Sequence, residues 1–293
     1  LGYQGLNQGV DFVGGRSYTV RFENAVNQTE IGALMNTEFG SAEVKTFGED
    51  NQLKITTKYK VDVEGVAVDE EIQNKLFSSL QSYLPDGTTY DDFVKGGTEK
   101  TTGIMSSIKV GPTIADDIKK NSFLAVIGSL IVVFLYSLLR FQKWQFSLGA
   151  VAAVFHDVLI VLGIFSITYT FMPFSMEINQ AFIAAILTVI GYSLNDTVVV
   201  FDRIREYVNE HTKWEFSDTV NGALNSTLSR TLNTSLTTLI VLLAIFIFGG
   251  ESIRGFMFAL IVGVIVGTYS SVFIATPVMY DTQKKKPLIE EKK

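Results

Sequence analysis

Cysteine is absent from this chain of 293 residues, and histidine occurs only twice. The absence of cysteine excludes a disulfide framework, a thiolate metal site and a cysteine nucleophile. Two histidines are too few for a histidine-rich metal centre, and no serine, histidine and aspartate have a spacing that indicates a hydrolase. We therefore expect no metal, no cofactor and no enzymatic activity.

Charge is also scarce and unevenly distributed. Charged residues make up 18% of the chain, against roughly 25% in soluble domains. The acidic excess lies in 1–121, which argues against nucleic acid as a partner because such binding requires a basic face. The stretch 122–201 has five charged residues, which are Arg140, Lys143, Asp157, Glu177 and Asp196. So long a stretch with so little charge is typical of a membrane protein.

Residues 1–111 are predicted to form one α+β domain. The patterns indicate a strand, a helix, two strands, a helix and a strand, at Ser17–Glu23, Gln28–Phe39, Glu43–Phe47, Gln52–Lys60, Val68–Leu84 and Thr101–Val110. Gly48–Asn51 is expected to form the turn between the two middle strands. The order β-α-β-β-α-β is typical of a ferredoxin-like fold.

Five apolar segments of bilayer length follow. They lie at about 122–141, 146–172, 181–202, 230–248 and 255–280. Buried soluble helices are a poor alternative, because five such segments in series would have no polar face for water. We predict a domain of five transmembrane helices over 112–281, followed by a basic tail over 282–293.

The basic residues between these segments indicate an orientation. Lysine and arginine occur in the first link, the third link and the tail, whereas the link 173–180 has neither. The positive-inside rule places the basic links and the tail in the cytoplasm and 1–111 outside. An external first domain needs an earlier anchor or signal, and the chain begins with Leu1. We therefore expect a preceding transmembrane helix that is absent from this sequence.

Charged residues inside the spans are functional candidates, because burial there costs about 2.5–3.5 kcal/mol each on insertion scales. Asp196 follows Asn195 in the third span, and Gly191 is expected to let another helix approach closely. Arg230 lies in a polar stripe over Thr227–Thr238. We interpret Asp196 as a group that binds and releases a proton, and Arg230 as its partner when ionised. The alternatives are a structural pair and an arginine that reaches the cytoplasmic face.

Two further features of the spans concern helix contacts. His156 and Asp157 lie together in the second span and form either a proton relay or a hydrogen bond between helices. Gly263 and Gly267 form a small-xxx-small pattern in the fifth span. That pattern predicts close helix packing.

Several motifs resemble those of the SecF family of bacterial protein-export membrane proteins. Leu187–Glu206, which reads LTVIGYSLNDTVVVFDRIRE, resembles the signature helix of that family. The other matches follow in family order and are Gly9–Gly15, Val110–Pro112, Ala152–Gly163, Leu228–Thr238 and Gly267–Ala275. SecF resembles half of a transporter of the RND (resistance-nodulation-division) superfamily. The chain is thus similar to SecF, or to the SecF half of a fused SecDF, without its first transmembrane helix.

The resemblance implies an accessory subunit of the Sec export machinery that works with SecD and the proton motive force. It implies SecD, the Sec channel and the exported polypeptide as partners, at the bacterial inner membrane. Residues 1–111 would then be periplasmic and the tail cytoplasmic. It assigns proton coupling to Asp196, its neighbour Asn195 and Arg230, with sodium as an alternative ion. Other interpretations are half of an RND-type small-molecule exporter and a non-transporting assembly subunit.

Overall fold

The structure is a computed structural model that describes residues 5–40, 42–63, 65–96 and 102–283. Its first part contains a four-stranded antiparallel sheet in the order β2-β3-β1-β4. The strands are β1 (Gly15–Arg21), β2 (Ala42–Phe47), β3 (Glu49–Thr57) and β4 (Gly103–Val110). The helices of this part are α1 (Val10–Val13), α2 (Gln28–Phe39), α3 (Val66–Leu80) and α4 (Tyr90–Gly96). The order of strands and main helices confirms the predicted ferredoxin-like fold.

Helices α2 and α3 cover one face of the sheet because both carry an apolar stripe of helical period. Their buried residues are Ile31, Met35, Phe39, Ile72, Leu76 and Leu80, which join the same core as Tyr18, Val20, Leu53 and Ile55 of the strands. Asn27 begins α2 by accepting hydrogen bonds from two backbone amides of its first turn. The other face of the sheet, which includes Ser17 and Lys54, lies over the membrane helices across a cavity of about 170 Å³.

Three details of this domain differ from the predicted elements. The sequence patterns do not predict α1 or α4. Gly48 alone separates β2 from β3, so the predicted four-residue turn is mostly strand. The third strand ends at Thr57 rather than Lys60, because the buried side chain of Arg16 donates hydrogen bonds to the carbonyl groups of Tyr59 and Lys60. Thr101, the predicted start of the last strand, lies outside the described residues.

Five long helical segments follow the sheet. They are α5 (Pro112–Phe141), α6 (Trp144–Thr168), α7 (Gln180–Glu210), α8 (Phe216–Phe248) and a last segment made of α9 (Glu251–Ser270), a π-helical turn (Ser271–Ala275) and α10 (Thr276–Gln283). Each is long and apolar enough to cross a membrane. Helices α5 and α8 begin well before the predicted spans. The apolar run marks only the part of a helix that crosses the bilayer, and polar residues can extend the helix beyond it. Most of the predicted basic tail, residues 284–293, lies outside the described residues.

The membrane helices share one core. Helices α6, α7 and α9 contribute most of the buried side chains, whereas most apolar side chains of α5 and α8 are exposed. Stacked and edge-on rings of Phe141, Phe146 and Phe201 join α5, α6 and α7 near one end of the bundle. The central position of α7 brings its polar residues into contact with three neighbouring helices.

Candidate functional site

Asp196 lies inside the bundle, where α7 meets α8 and α9. Its side chain is 3% exposed. Ser235 of α8 donates a hydrogen bond of 3.4 Å to Oδ2 of Asp196. The Ser235 hydroxyl also lies 2.6 Å from that of Thr268 on α9 and accepts a hydrogen bond of 3.3 Å from Tyr192. The carboxyl group therefore faces a network of three hydroxyl groups, one from each helix.

Asp157 of α6 is a second buried carboxyl group. Ser193 of α7 and Ser270 of α9 donate hydrogen bonds of 2.5 Å and 2.7 Å to its Oδ2 atom. The Nδ1 atom of His156 lies 3.1 Å from its Oδ1 atom. Asp157 thus joins three helices through side chains, in a medium that offers no water as an alternative partner.

The two carboxyl groups differ in how strongly they are held. Hydrogen bonds between two oxygen atoms are usually about 2.5–3.0 Å long and weaken beyond that range. Both hydroxyl bonds to Asp157 fall within this range, whereas the bond from Ser235 to Asp196 is longer. Ser235 therefore holds Asp196 less tightly than Ser193 and Ser270 hold Asp157.

Close packing of α9 against α7 positions both groups. A Cβ atom at Gly263 would overlap the side chain of Val189, and one at Gly267 would lie 3.1 Å from the Cβ atom of Ser193. Val189, Ser193 and Asp196 lie on successive turns of the buried side of α7. The two glycines thus permit the seam in which both carboxyl groups lie.

Asn195 and Gly191 lie on the exposed side of α7. Successive residues of a helix point about 100° apart, so Asn195 cannot share the direction of Asp196. In the described part of the chain, no atom lies within 4 Å of a Cβ atom built at Gly191. No helix in the described part of this chain therefore packs against Gly191, and close helix packing there stays a prediction for a contact with another protein.

Arg230 is exposed on α8, and it forms no ion pair with Asp196 within 4.0 Å. Its influence on the carboxyl group is a longer-range attraction. Thr231, the next residue, is buried, and its hydroxyl has no hydrogen-bond partner among the described residues. It lies one turn before Ser235 on the same side of α8. The arrangement therefore pairs Asp196 with hydroxyl groups and leaves a second buried hydroxyl nearby.

The hydroxyl partners of the two carboxyl groups were not predictable from sequence patterns. Serine and threonine are common in helices, where most of them bond to their own backbone. The only available indication was spacing: Ser193 precedes Asp196 by about one helical turn, so the two side chains share one side of α7. In the described ranges, no three histidine, aspartate or glutamate side chains come together in a way that could hold a metal ion.

Two family models match the chain. The model described as "Protein export membrane protein SecD/SecF, C-terminal" covers residues 92–285, which include all five long helical segments and both buried carboxyl groups. The model described as "SecD/SecF GG Motif" covers residues 4–26, which include α1 and β1.

Individual relatives agree with these models. "Protein translocase subunit SecF" of Rhodothermus marinus is 44% identical over 96% of this chain and 85% of that protein. The protein of the same name from Vibrio alginolyticus is 38% identical over 92% of this chain and 78% of its own length. The crystal structure of SecDF from Thermus thermophilus, described as a translocon-associated membrane protein, matches with a TM-score of 0.77 and 31% identity. The match covers 96% of this chain but 35% of that SecDF chain.

Proposed function

Because this chain belongs to the SecD/SecF family of protein-export membrane proteins and acts as a transport component of Sec translocation, we propose that it couples the proton motive force to that translocation. In this proposal it works with a SecD partner half beside the Sec channel and moves an exported polypeptide across the bacterial inner membrane. Its sheet domain is periplasmic and its basic tail is cytoplasmic, in keeping with the positive-inside rule.

The observation that carries this proposal is the weak attachment of a buried carboxyl group. Asp196 is buried in a seam of three helices, yet the hydrogen bond that it accepts from Ser235 is 3.4 Å long. A carboxyl group removed from water favours its protonated form until a partner for its charge approaches. Asp196 therefore has the setting of a group that changes protonation state when α8 moves.

The residues on α8 indicate how the two states differ. A protonated Asp196 is satisfied by uncharged partners such as Ser235, whose hydroxyl lies beside that of Thr268. When the proton leaves, the buried charge requires stronger donors, because an unpaired charge in a low-dielectric medium is costly. Thr231 lies one turn before Ser235 on the buried side of α8, and Arg230 precedes it directly. We propose that they approach Asp196 in the ionised state, which moves α8 relative to α7 and gives the two states that coupling requires.

The exposed polar side of the bundle supports a partner half. Asn195 on α7 and Arg230 on α8 are exposed within or beside apolar spans. Polar groups that face lipid are unfavourable, so such a surface favours cover by another protein. SecD is the partner that fits, since the matched Thermus thermophilus protein is a SecDF chain.

The decisive experiment measures export into inverted membrane vesicles that contain the full complex, under defined proton or sodium gradients. Asp196→Asn should abolish the gradient-dependent part of export and leave the gradient-independent part, the protein level and assembly unchanged. Asp117→Asn, which removes an exposed carboxyl group of α5, is the matched control. Normal gradient-dependent export by Asp196→Asn would instead support a non-transporting assembly subunit. No observation favours a small-molecule exporter, because the relatives are named protein translocase subunits.

A further inference from the structure

The segment 5–14, which we call the strap, connects the sheet domain to the membrane helices. Gln8 pairs with Ile178 as a parallel β-bridge. The amide of Gly9 donates to the carbonyl of Ile178 at 2.9 Å, and the amide of Ile178 donates to the carbonyl of Asn7 at 2.7 Å. The strap is thus paired to the link between α6 and α7, far away in sequence.

The strap also contacts the ends of both helices. Asp11 accepts a hydrogen bond of 3.0 Å from the amide of Gln180, the first residue of α7. The hydroxyl of Ser166 in the last turn of α6 donates to the carbonyl of Gly5 at 2.7 Å. A carboxylate at a helix N-terminus satisfies a free amide and complements the helix dipole. The strap therefore holds α7 at its starting residue.

A buried ion pair joins the same link to the sheet. Lys54 of β3 lies 2.5 Å from Glu177, and their side chains are 14% and 6% exposed. A Cβ atom at Gly9 would lie 3.2 Å from Oε2 of Glu177, so the strap closes over this pair. Buried ion pairs contribute little net stability compared with apolar packing, but removal of one partner is strongly unfavourable. The pair therefore fixes the position of the link relative to β3 more than it adds to the free energy of unfolding.

The link is itself fixed to the rest of the bundle. The ring of Phe174 packs edge-on against Phe246 of α8 and Phe258 of α9, with ring centres 5.4 Å and 5.5 Å apart. A Cβ atom at Gly255 of α9 would lie 2.5 Å from the carbonyl oxygen of Ser175. Because of these contacts, we expect the link to move together with the helices that surround Asp196.

We propose that Lys54, Glu177 and Asp11 are positioning residues of a joint that stays closed and makes the sheet domain move with the start of α7. This inference rests on the proposed proton coupling at Asp196. Gln180 and Asp196 belong to one helix and are about 24 Å apart along its axis at 1.5 Å per residue. A displacement of α7 at Asp196 would be transmitted along that helix to the strap. The ion pair of Lys54 and Glu177 would transmit it to the sheet.

The first test reverses the charges of the pair in the full-length protein with its partner half. Lys54→Glu and Glu177→Lys should each lose most gradient-dependent export in inverted vesicles, because each places like charges together. The double variant should restore it, which identifies the interaction between the two charges as the cause of the loss. Lys60→Glu breaks an exposed pair with Glu71 in the same domain and should have no effect. If the charge-reversal variants do not accumulate in the membrane, Asp11→Ala provides a second test. It removes the hydrogen-bond acceptor for the amide of Gln180 without introducing a like charge, and it should lower gradient-dependent export.

The second test locks the joint. The chain has no cysteine, so a cysteine pair at Gln8 and Ile178 is chemically unique, and bridged strands lie about 4.7–4.9 Å apart, within disulfide reach. The oxidised protein should keep its gradient-dependent export. Loss of export that chemical reduction reverses would overturn a joint that stays closed.

The outcomes separate this inference from the proposed function. Normal gradient-dependent export by Asp196→Asn refutes proton coupling and, with it, the joint. If Asp196→Asn loses that export while the accumulating Lys54, Glu177 and Asp11 variants keep it, the joint is refuted and proton coupling stands. A double charge reversal that accumulates normally without restoring export also refutes the joint.

Discussion

Ser193 of α7 donates a hydrogen bond of 2.5 Å to Asp157 of α6, one turn before Asp196 on the same helix. One helix therefore carries both the donor that secures one carboxyl group and the second carboxyl group, which is held weakly. This division assigns different roles to two acidic residues that look alike in the sequence. In the proposal above, Asp157 keeps the seam between the helices in place, and Asp196 exchanges a proton.

The structural role of Asp157 predicts a loss of stability on truncation. Asp157→Ala removes the acceptor of the buried Ser193 hydroxyl and leaves Ser270 with only its longer bond of 3.2 Å to the carbonyl of Gly267, which should cost about 1–3 kcal/mol for the unsatisfied group. Asp157→Asn should cost less, because its amide oxygen can still accept. Thermal unfolding of the purified protein in detergent checks both, with the exposed Asn195→Ala as control. Equal stability of Asp157→Ala and the unmodified protein would contradict the structural role.

Glycines in the helices should divide into sensitive and tolerant positions. A Cβ atom at Gly149 would lie 2.5 Å from the backbone oxygen of Ala275 in the π-helical turn, so Gly149→Ala should cost about 1–3 kcal/mol. Gly128 has no described atom within 4 Å of such a Cβ atom. Gly128→Ala should therefore be neutral, or stabilising by about 0.5–1 kcal/mol through helix propensity. Thermal unfolding in detergent checks both variants. Equal melting temperatures for Gly149→Ala and Gly128→Ala would contradict this prediction.

Gly191 should matter for assembly rather than for the fold of this chain. Its side of α7 is open, so Gly191→Leu should leave thermal stability unchanged. If the SecD half covers that surface, the larger side chain should reduce co-purification of the two halves. Co-purification at the normal level would show that the partner does not approach α7 at this position.

The free hydroxyl of Thr231 offers a test of the two-state proposal. Thr231→Val removes a buried hydroxyl without a described partner, so stability should be unchanged or slightly higher. Gradient-dependent export should fall, because the ionised Asp196 loses a donor. Ser147→Ala removes another buried hydroxyl of the same kind, on α6, and should leave export intact. Equal export by the two variants would argue against a role for Thr231.

The sheet domain should weaken in acid through Asp69. Burial raises the pKa of Asp69, but hydrogen bonds from Lys109 and Arg16 outweigh this effect and lower it below its ordinary value. Because the pKa of Asp69 is lower in the folded state, its ionised form stabilises the folded protein. This stabilisation is fully present when the pH is above the pKa of the unfolded state, about 3.9, and is lost as the pH falls through the pKa of the folded state. The protection factors of the α3 amides, which compare observed exchange with the intrinsic rate at the same pH, should therefore fall in acid below about pH 4. Asp69→Asn should show lower protection factors already at pH 7 and little further change in acid.

Local patterns were sufficient for the elements of this protein. Long apolar runs identify transmembrane helices, because a bilayer requires about 20 apolar residues in each. Alternation of apolar residues and turn residues identified the strands, since the pleat of a strand has period two. The motif around Asp196 could likewise be found in the sequence. The short helices α1 and α4 were not found, because helices of four and seven residues carry too few apolar positions to form a pattern.

The sequence by itself therefore determined the fold class and the family resemblance, and it identified Asp196 as a candidate. Only the tertiary structure decided that Asp196 is buried while Asn195 is exposed, that Arg230 is not paired with Asp196, and that hydroxyl groups contact both carboxyl groups. It also brought Lys54 and Glu177 together across 123 residues of chain. The physical reason is that periodicity reports which side of an element is buried, whereas side-chain partners depend on how separate elements pack.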